Sequence, residues 1–304
     1  MHRLFFDWNN LAMRLLHMPS VNIKTEPRYD FLAYLIFDNI YTEALKLAHE
    51  TDKLEVILAC DAHDGYWRKE IYPPYKADRV RSTDIDWETA YAKLDNLKKI
   101  IAENTPWKVI TVPHCEADDI IAVLSRASTR TPCTVFSGDS DYLQLVSDNI
   151  RVFNPHYGEY VEFPNEIKIS NGTTYCEDPE EFLALCILTG QGGKDNVYNV
   201  KTPTDFVKEA GKRKPPLGLK GAIKILDDPE EFEKYSSMEN YERNKNLIDF
   251  SMIPYEIKKN VVDAYKNYPA SAEPNVVNIL TEYDWPSYRS IVDELDRDFK
   301  EYFV

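Results

Sequence analysis

Four short apolar runs, at residues 3–6 (RLFF), 55–60 (EVILAC), 108–112 (KVITV) and 133–136 (CTVF), each lead straight into carboxylates. Runs of this length bounded by turn residues read as buried strands. Helical patterns lie between them, at 30–50, 87–103 and 117–125. Strand alternating with helix predicts a mostly parallel sheet covered on both faces, because parallel neighbours need a crossover between them. Asp7 ends the first run and Asp61 follows the second; Glu116, Asp118 and Asp119 follow the third, and Asp139 and Asp141 the fourth. In an open parallel sheet the carboxyl ends of the strands share one edge, and ligands sit outside that edge. Seven carboxylates are therefore expected to converge on one cleft.

Any one of these acids is explained by a turn or by the positive end of a helix dipole. Three within four positions, in CEADDIIAVLSR (115–126), are harder to explain that way. Two unit charges about 4 Å apart repel by roughly 4 kcal/mol at an effective dielectric of ~20. Hard divalent cations take oxygen ligands, and magnesium in particular keeps waters and works on phosphates. The crowding predicts a magnesium site, and two ions about 4 Å apart would suit phosphodiester cleavage.

Other acid-rich chemistries fit less well. DSDYLQLVSDNI (139–150) lacks the central Gly and final Glu of a calcium-binding loop. The first strand lacks the second Asp of haloacid-dehalogenase-type phosphatases, and no GxSxG, Walker or dinucleotide fingerprint occurs. His63, His114 and His156 are scattered and read as loop residues. Five cysteines without a CxxC do not make a disulfide framework or a zinc site. With 43 % hydrophobic residues in 304, the chain can bury a large core. No apolar run reaches the ~18 residues of a membrane span, and MHRLFFDWNN lacks the sections of a secretory signal. A cytoplasmic monomer without membrane association is expected.

The net charge of −15 argues at first sight against nucleic acid. Its distribution argues otherwise. Residues 66–81 hold five basic and two acidic side chains, and residues 194–224 hold eight and three. Basic segments on an acidic chain can read a phosphate backbone locally. Residues 150–163 read as a hairpin turning near Tyr157 and Gly158. Beyond residue 180 the pattern is helical, with Pro and Gly interruptions, and predicts a smaller separate part.

Five stretches in order, LFFDWNN, LACDAHDGYWRKEIYPPYKADR, CEADDIIAVL, FSGDSDYLQL and GGKDNVYNV, resemble the 5′ nucleases, or flap endonucleases, over nearly the whole chain. The likeness is strongest to the bacteriophage branch of that family. It implies an α/β fold: a Rossmann-like (PIN-like), mostly parallel nuclease core at 1–179 with a helical arch near 64–86. A helical duplex-binding part at 180–304 follows, carrying a helix–loop–helix element. The implied activity is magnesium-dependent 5′ to 3′ exonuclease and flap endonuclease cleavage, with ribonuclease H activity. Such an enzyme removes RNA primers and 5′ flaps during lagging-strand replication, here in the cytoplasm of an infected bacterium. A PIN-type ribonuclease acting on single-stranded RNA, or a non-catalytic branched-DNA-binding protein of the same fold, are the alternatives.

Residue by residue, the family's metal ligands fall on Asp7, Asp61, Glu116, Asp118, Asp119, Asp139, Asp141 and Asp195, for two Mg2+ ions or Mn2+ in their place. Catalytic roles fall on Lys76, Arg79, Asp118 and Asp139. Arg68, Lys69, Lys76 and Arg79 would grip phosphates, and Tyr75 would stack on an end base. In PPLGLKGAIKIL (215–226), Gly218, Lys220 and Gly221 match the loop of the helix–loop–helix element, where K+ would bind. A Lys- and Arg-rich insertion stretches the spacing from GGKDNVYNV to that loop. One departure is Gly192, where family members carry a further Asp near the second metal. The terminal Tyr302, Phe303 and Val304 read as a helix end packed on its own domain; the alternative is an apolar contact for a single-strand-binding protein or a sliding clamp.

Overall fold

The computed structural model describes residues 1–79, 81–169, 172–206, 214–228, 230–232, 237–269 and 273–304. Its centre is a six-stranded sheet in the order β3-β2-β1-β4-β5-β6. The strands are β1 (His2–Asp7), β2 (Leu54–Cys60), β3 (Lys108–Thr111), β4 (Cys133–Phe136), β5 (Ile150–Asn154) and β6 (Glu159–Val161). The first five run parallel, and β6 turns back antiparallel to β5. Between the parallel strands run α1 (Trp8–Leu16), α2 (Tyr29–Ala48), α3 (Trp67–Ile71), α4 (Trp87–Asn104) and α5 (Ala117–Ala127).

Alternation along the strands builds two cores, one on each face. Phe5, Ile57, Ala59 and Val135 point toward α5. Leu4, Phe6, Val56 and Leu58 point toward α1, α2 and α4. Successive strand side chains face opposite sides, so a strand buried on both faces must be apolar throughout, as β2 is. The strand order reverses between β1 and β4, and a crevice opens at such a switch point. Asp7 at the end of β1 and Asp139 just beyond β4 flank it.

A two-stranded antiparallel sheet of β7 (Asn165–Ile169) and β8 (Gly172–Cys176) was not foreseen. Its signal is the alternation of exposed Glu166 and Lys168 with buried Ile167 and Ile169.

The helices that follow are α6 (Pro179–Thr189), α7 (Leu219–Asp227), α8 (Met238–Ile248), α9 (Tyr255–Lys266), α10 (Val276–Glu282), α11 (Pro286–Arg289) and α12 (Val292–Tyr302). They do not stand apart among the described residues. Phe182, Leu185, Ile225, Leu247 and Val261 join the core beneath α5, and Ile279, Leu295 and Phe299 join the opposite one. Residue 180 thus marks a change of architecture within continuous packing. Much of the Lys- and Arg-rich insertion, residues 207–213, lies outside the described residues, as does Val80 of the expected arch.

At the C-terminus the helix end packs on its own domain, the first of the two readings of the tail. Phe303 is buried, bridges to Leu54 at the start of β2, and packs its ring against Trp107 and Phe299. The apolar residues at 295, 299 and 303 are spaced for one helix face, and that face is already covered. Phe303→Ala should cost about 3 kcal/mol or more of stability. It should leave flap cleavage at permissive temperature unchanged, which thermal melting and a nuclease assay together would check.

Candidate metal centre

The carboxylates arrive at the cleft as caps and tethers of the surrounding elements. Asp7 caps α1, accepting from the Asn10 amide at 2.9 Å, and receives the Tyr142 hydroxyl at 2.9 Å. Asp61 accepts from the Ala117 amide at 2.8 Å and from Asn9 Nδ2 at 2.7 Å, tying the end of β2 to the start of α5. Glu116 and Asp119 form a reciprocal capping box on α5. Asp139 caps the 3-10 turn that carries Asp141. In the loop after α6, Gly190 holds φ 65°, and a Cβ there would meet Val197 O at 2.3 Å. Only glycine fits this turn, which brings the Asp195 carbonyl within 2.9 Å of the Lys76 amide.

Asp7, Asp61, Glu116, Asp118, Asp139 and Asp141 all line one cleft of about 1130 Å³, together with Lys69, Lys76, Arg79, Arg81 and Lys194. Asp119 and Asp195 lie behind this lining. Asp119 is fully buried; its Oδ2 receives Trp67 Nε1 at 2.9 Å and Arg68 Nη1 at 3.1 Å, and its Oδ1 is ion-paired to Arg68 Nη2 at 2.9 Å. It braces α5 under the cleft, although one of its oxygens lies within 4.8 Å of ligand atoms on Glu116 and Asp118. Asp195 pairs with Arg79 at 2.6 Å.

Two expectations for the 64–86 segment are corrected by burial. Arg68 does not reach toward phosphate; it is buried against Glu116 at 2.8 Å, Asp118 at 3.6 Å and Asp119 at 2.9 Å. Tyr75 offers no ring to a base, because it too is buried and its hydroxyl donates to Glu116 at 3.0 Å. The only helix among the described residues of this segment is the five-residue α3; turns follow in place of a long helical arch. Lys69, Lys76, Arg79 and Arg81 remain at the cleft. Lys76 sits at φ 55° with its ammonium on Glu116, a strained backbone held by both contacts. Gly218 caps α7 in the open, with exposed Lys220 and half-buried Gly221 in its first turn.

The sequence reading missed several partners. Lys194, next to the expected Asp195, reaches Asp139 at 2.5 Å and Asp141 at 3.0 Å. Gln191 Nε2 donates to Asp141 at 2.5 Å. Gly192 does not have positive φ, and a Cβ there would meet Lys214 Nζ and the Tyr198 ring at 3.0 Å.

Of the eight carboxylates, six are ion-paired to Arg68, Lys76, Arg79 or Lys194, and Asp7 and Asp61 have no ion pair among the described residues. Burial pushes Asp7 up to about 7, with Asp61 and Asp139 adding repulsion. Burial and Asp139 push Asp141 up to about 6, and burial raises Asp61 and Asp118 as well. Burial also works against Glu116, yet Arg68 and Lys76 outweigh it and hold that carboxyl below its ordinary range. Asp118 Oδ1 is buried with no hydrogen-bond partner. A carboxylate oxygen without a hydrogen bond, beside Asp7 and Asp61 that carry no ion pair among the described residues, fits a hard divalent cation.

A carboxyl raised on folding binds its proton more tightly in the folded state, so the stability it contributes is lost as pH rises through the folded value. For Asp7 that value is about 7. The metal-free protein should therefore melt at higher temperature as pH falls from about 8 to about 6.5. Saturating magnesium should flatten that slope, because the cation replaces the proton. Melting curves in EDTA and in magnesium check both signs.

Residues 2–172 match the family model described as 5′-3′ exonuclease, N-terminal resolvase-like domain, and residues 180–289 match T4 RNase H, C terminal. Ribonuclease H of Enterobacteria phage T4 is 28 % identical over 280 residues, covering 86 % of this chain and 85 % of that protein. A 5′-3′ exonuclease of Buchnera aphidicola is 27 % identical over 220 residues, covering 72 % of this chain and 65 % of that protein. Among solved structures, a phage T5 flap endonuclease in a pseudo-enzyme–product complex with DNA and metal ions superposes with a TM-score of 0.60 at 16 % identity. That likeness covers 88 % of this chain and 100 % of the T5 chain. The T5 5′-exonuclease with bound zinc gives a TM-score of 0.58 at 16 % identity, covering 88 % and 99 %. At these identities the two structures speak for the fold.

Proposed function

Because this chain belongs to the 5′-3′ exonuclease family with the N-terminal resolvase-like domain, we propose that it is a divalent-metal-dependent 5′ nuclease acting at 5′ flaps and RNA primers on duplex DNA. The observation that carries this reading is the cleft itself. Six carboxylates at the carboxyl edge of a parallel sheet, one with an orphaned oxygen, face a rim of lysine and arginine. Asp7, Asp61, Glu116, Asp118 and Asp139 would hold one ion, Mg2+ or Mn2+; Asp141 and Asp195 belong to a second position. A bound ion supplies a Lewis acid that polarises a phosphoryl oxygen and activates water.

The chain's own residues do the rest. Lys69 and Arg81 on the cleft rim draw in the backbone of the strand to be cut. Lys76, buried against Glu116, is positioned to transfer its ammonium to the scissile phosphate and to stabilise charge developing there. Arg79, half exposed and paired to Asp195, holds a neighbouring phosphate. Duplex DNA beyond the junction would rest its backbone on the open N-terminal turn of α7, through Gly218, Lys220 and Gly221, with K+ as the ion of that turn. No helix of the described residues is long and apolar enough to cross a membrane. Removal of primers and flaps in lagging-strand replication, in an infected bacterial cell, is the role this chemistry suits.

Lys76→Ala should lower the single-turnover cleavage rate far more than it weakens flap binding, since its contact strengthens in the transition state. Arg79→Ala should act mainly on binding and reduce its salt dependence by about one counterion. Equal small effects from both would make the segment general surface charge. The function itself is tested with labelled flap DNA, RNA–DNA hybrid and single-stranded RNA, each in magnesium and in EDTA. Cleavage of the first two in magnesium supports it. Preference for single-stranded RNA favours a PIN-type ribonuclease, and flap binding without cleavage favours a non-catalytic structure-binding protein.

A further inference from the structure

The two halves of the cleft are not equivalent. On the Asp118 side Arg68 and Lys76 pair with Glu116, but Asp118 Oδ1 is buried with no hydrogen bond, its nearest cation Arg68 at 3.6 Å, and Asp7 and Asp61 have no ion pair among the described residues. On the Asp141 side the oxygens are taken by the chain's own cations and donors. Lys194 Nζ lies 2.5 Å from Asp139 Oδ2 and 3.0 Å from Asp141 Oδ2. Gln191 Nε2 donates to the other Asp141 oxygen at 2.5 Å. Asp195 Oδ1 is held by Arg79 at 2.6 Å, with Lys76 Nζ 4.0 Å away.

We propose that Lys194 stands in for the second divalent cation, so that this chain binds one metal ion where the carboxylates would otherwise hold two. The inference rests on the metal-dependent reading above and sharpens it. An ammonium between two carboxylates satisfies the charge a metal would satisfy, with three donors but no acceptor. A divalent ion entering there must first displace it, and its affinity falls with every ligand charge already neutralised. The placement of Lys194 is built into the turn. Its amide donates to Gln191 O at 3.1 Å, the next amide donates to the same oxygen at 2.8 Å, and its own carbonyl accepts from Arg79 Nε at 3.2 Å. Residue 192, two positions before it, is a glycine that adds no carboxylate to this side, and a Cβ there would face Lys214 and Tyr198. The ammonium thus supplies positive charge that no chelator removes, from a side chain 42 % exposed on a backbone held by the turn.

The test counts bound manganese(II) by electron paramagnetic resonance titration, on full-length wild type, Lys194→Met and Lys194→Gln. Both variants remove the charge and keep most of the stem, and circular dichroism reports whether they fold. The expected result is one ion per chain in wild type and two in both variants, with the gained ion lost when Asp141→Asn is added. Two ions of similar affinity in wild type and variants, or one in all three, would overturn the proposal while leaving the metal-dependent nuclease standing. So would a gained ion that survives Asp141→Asn. No bound ion in any of them would overturn both readings together.

Discussion

Asp118→Asn should cut single-turnover cleavage of a 5′-flap duplex by on the order of a hundredfold or more. Loss of a residue one step removed from a metal already costs roughly 10–100-fold, and Asp118 carries the orphaned oxygen itself. Flap affinity should change little, because binding rests on the cations of the rim. The same substitution should raise the melting temperature in EDTA. Burial drives the Asp118 carboxyl well above its ordinary range, and Glu116 and Asp119 repel its charge, with Arg68 and Lys76 only partly offsetting them. A neutral amide removes that repulsion. The pairing of effects is diagnostic: a residue with a purely structural role would lose stability together with activity. Cleavage at a rate near wild type in ordinary magnesium would show the cluster to be an elaborate helix cap.

Arg68→Met should be the most destabilising single change near the site. The guanidinium is buried, faces three carboxylates of the α5 N-terminus, and donates to Leu247 O at 3.0 Å at the end of α8. It therefore joins α3, α5 and α8 through one group. Removing one partner of a buried ion pair leaves the other charge uncompensated and costs about 3–5 kcal/mol. For a chain of this size that lowers the melting temperature by on the order of 10 °C. Saturating magnesium should recover part of the loss by neutralising the same carboxylates, and adding Asp119→Asn should recover part of it without metal. A surface phosphate contact behaves differently: its loss would leave melting unchanged and reduce the salt dependence of DNA binding. Thermal melting and salt titration on one variant therefore separate the two roles.

That contrast shows where the amino-acid pattern stops being informative. The strands were readable because each is an apolar run bounded by turns, and parallel pairing then forces their carboxylates to one edge. Asp7, Asp61, Asp118 and Asp139 needed no more than that. The 64–86 segment carries no comparable pattern. Helix α3 is five residues long, under two turns, so its periodicity cannot say that Arg68 points inward while Lys69 beside it points to the cleft. Buried Tyr72 and Tyr75 and exposed basic neighbours have the composition of a nucleic-acid-binding surface whichever way they face. Lys194 was passed over because its role depends on reach across the cleft, between loops that only the fold brings together. The tail is a different case. Leu295, Phe299 and Phe303 repeat every fourth position and form one buried face, which is the packed reading of the helix end.

The most direct measurement follows the polarity and metal dependence of cutting on one molecule. A duplex carrying a single-stranded 5′ flap, labelled separately at its 5′ and 3′ ends, is mixed with excess protein and quenched over time. With magnesium, the 5′ label should leave first as a flap-length or shorter fragment. The 3′-labelled strand should then shorten progressively from its 5′ side. In EDTA both labels should stay intact while the protein remains bound to the flap. Cutting that persists in EDTA, shortening from the 3′ end, or stable binding without cleavage in magnesium and in manganese would contradict a metal-dependent 5′ nuclease.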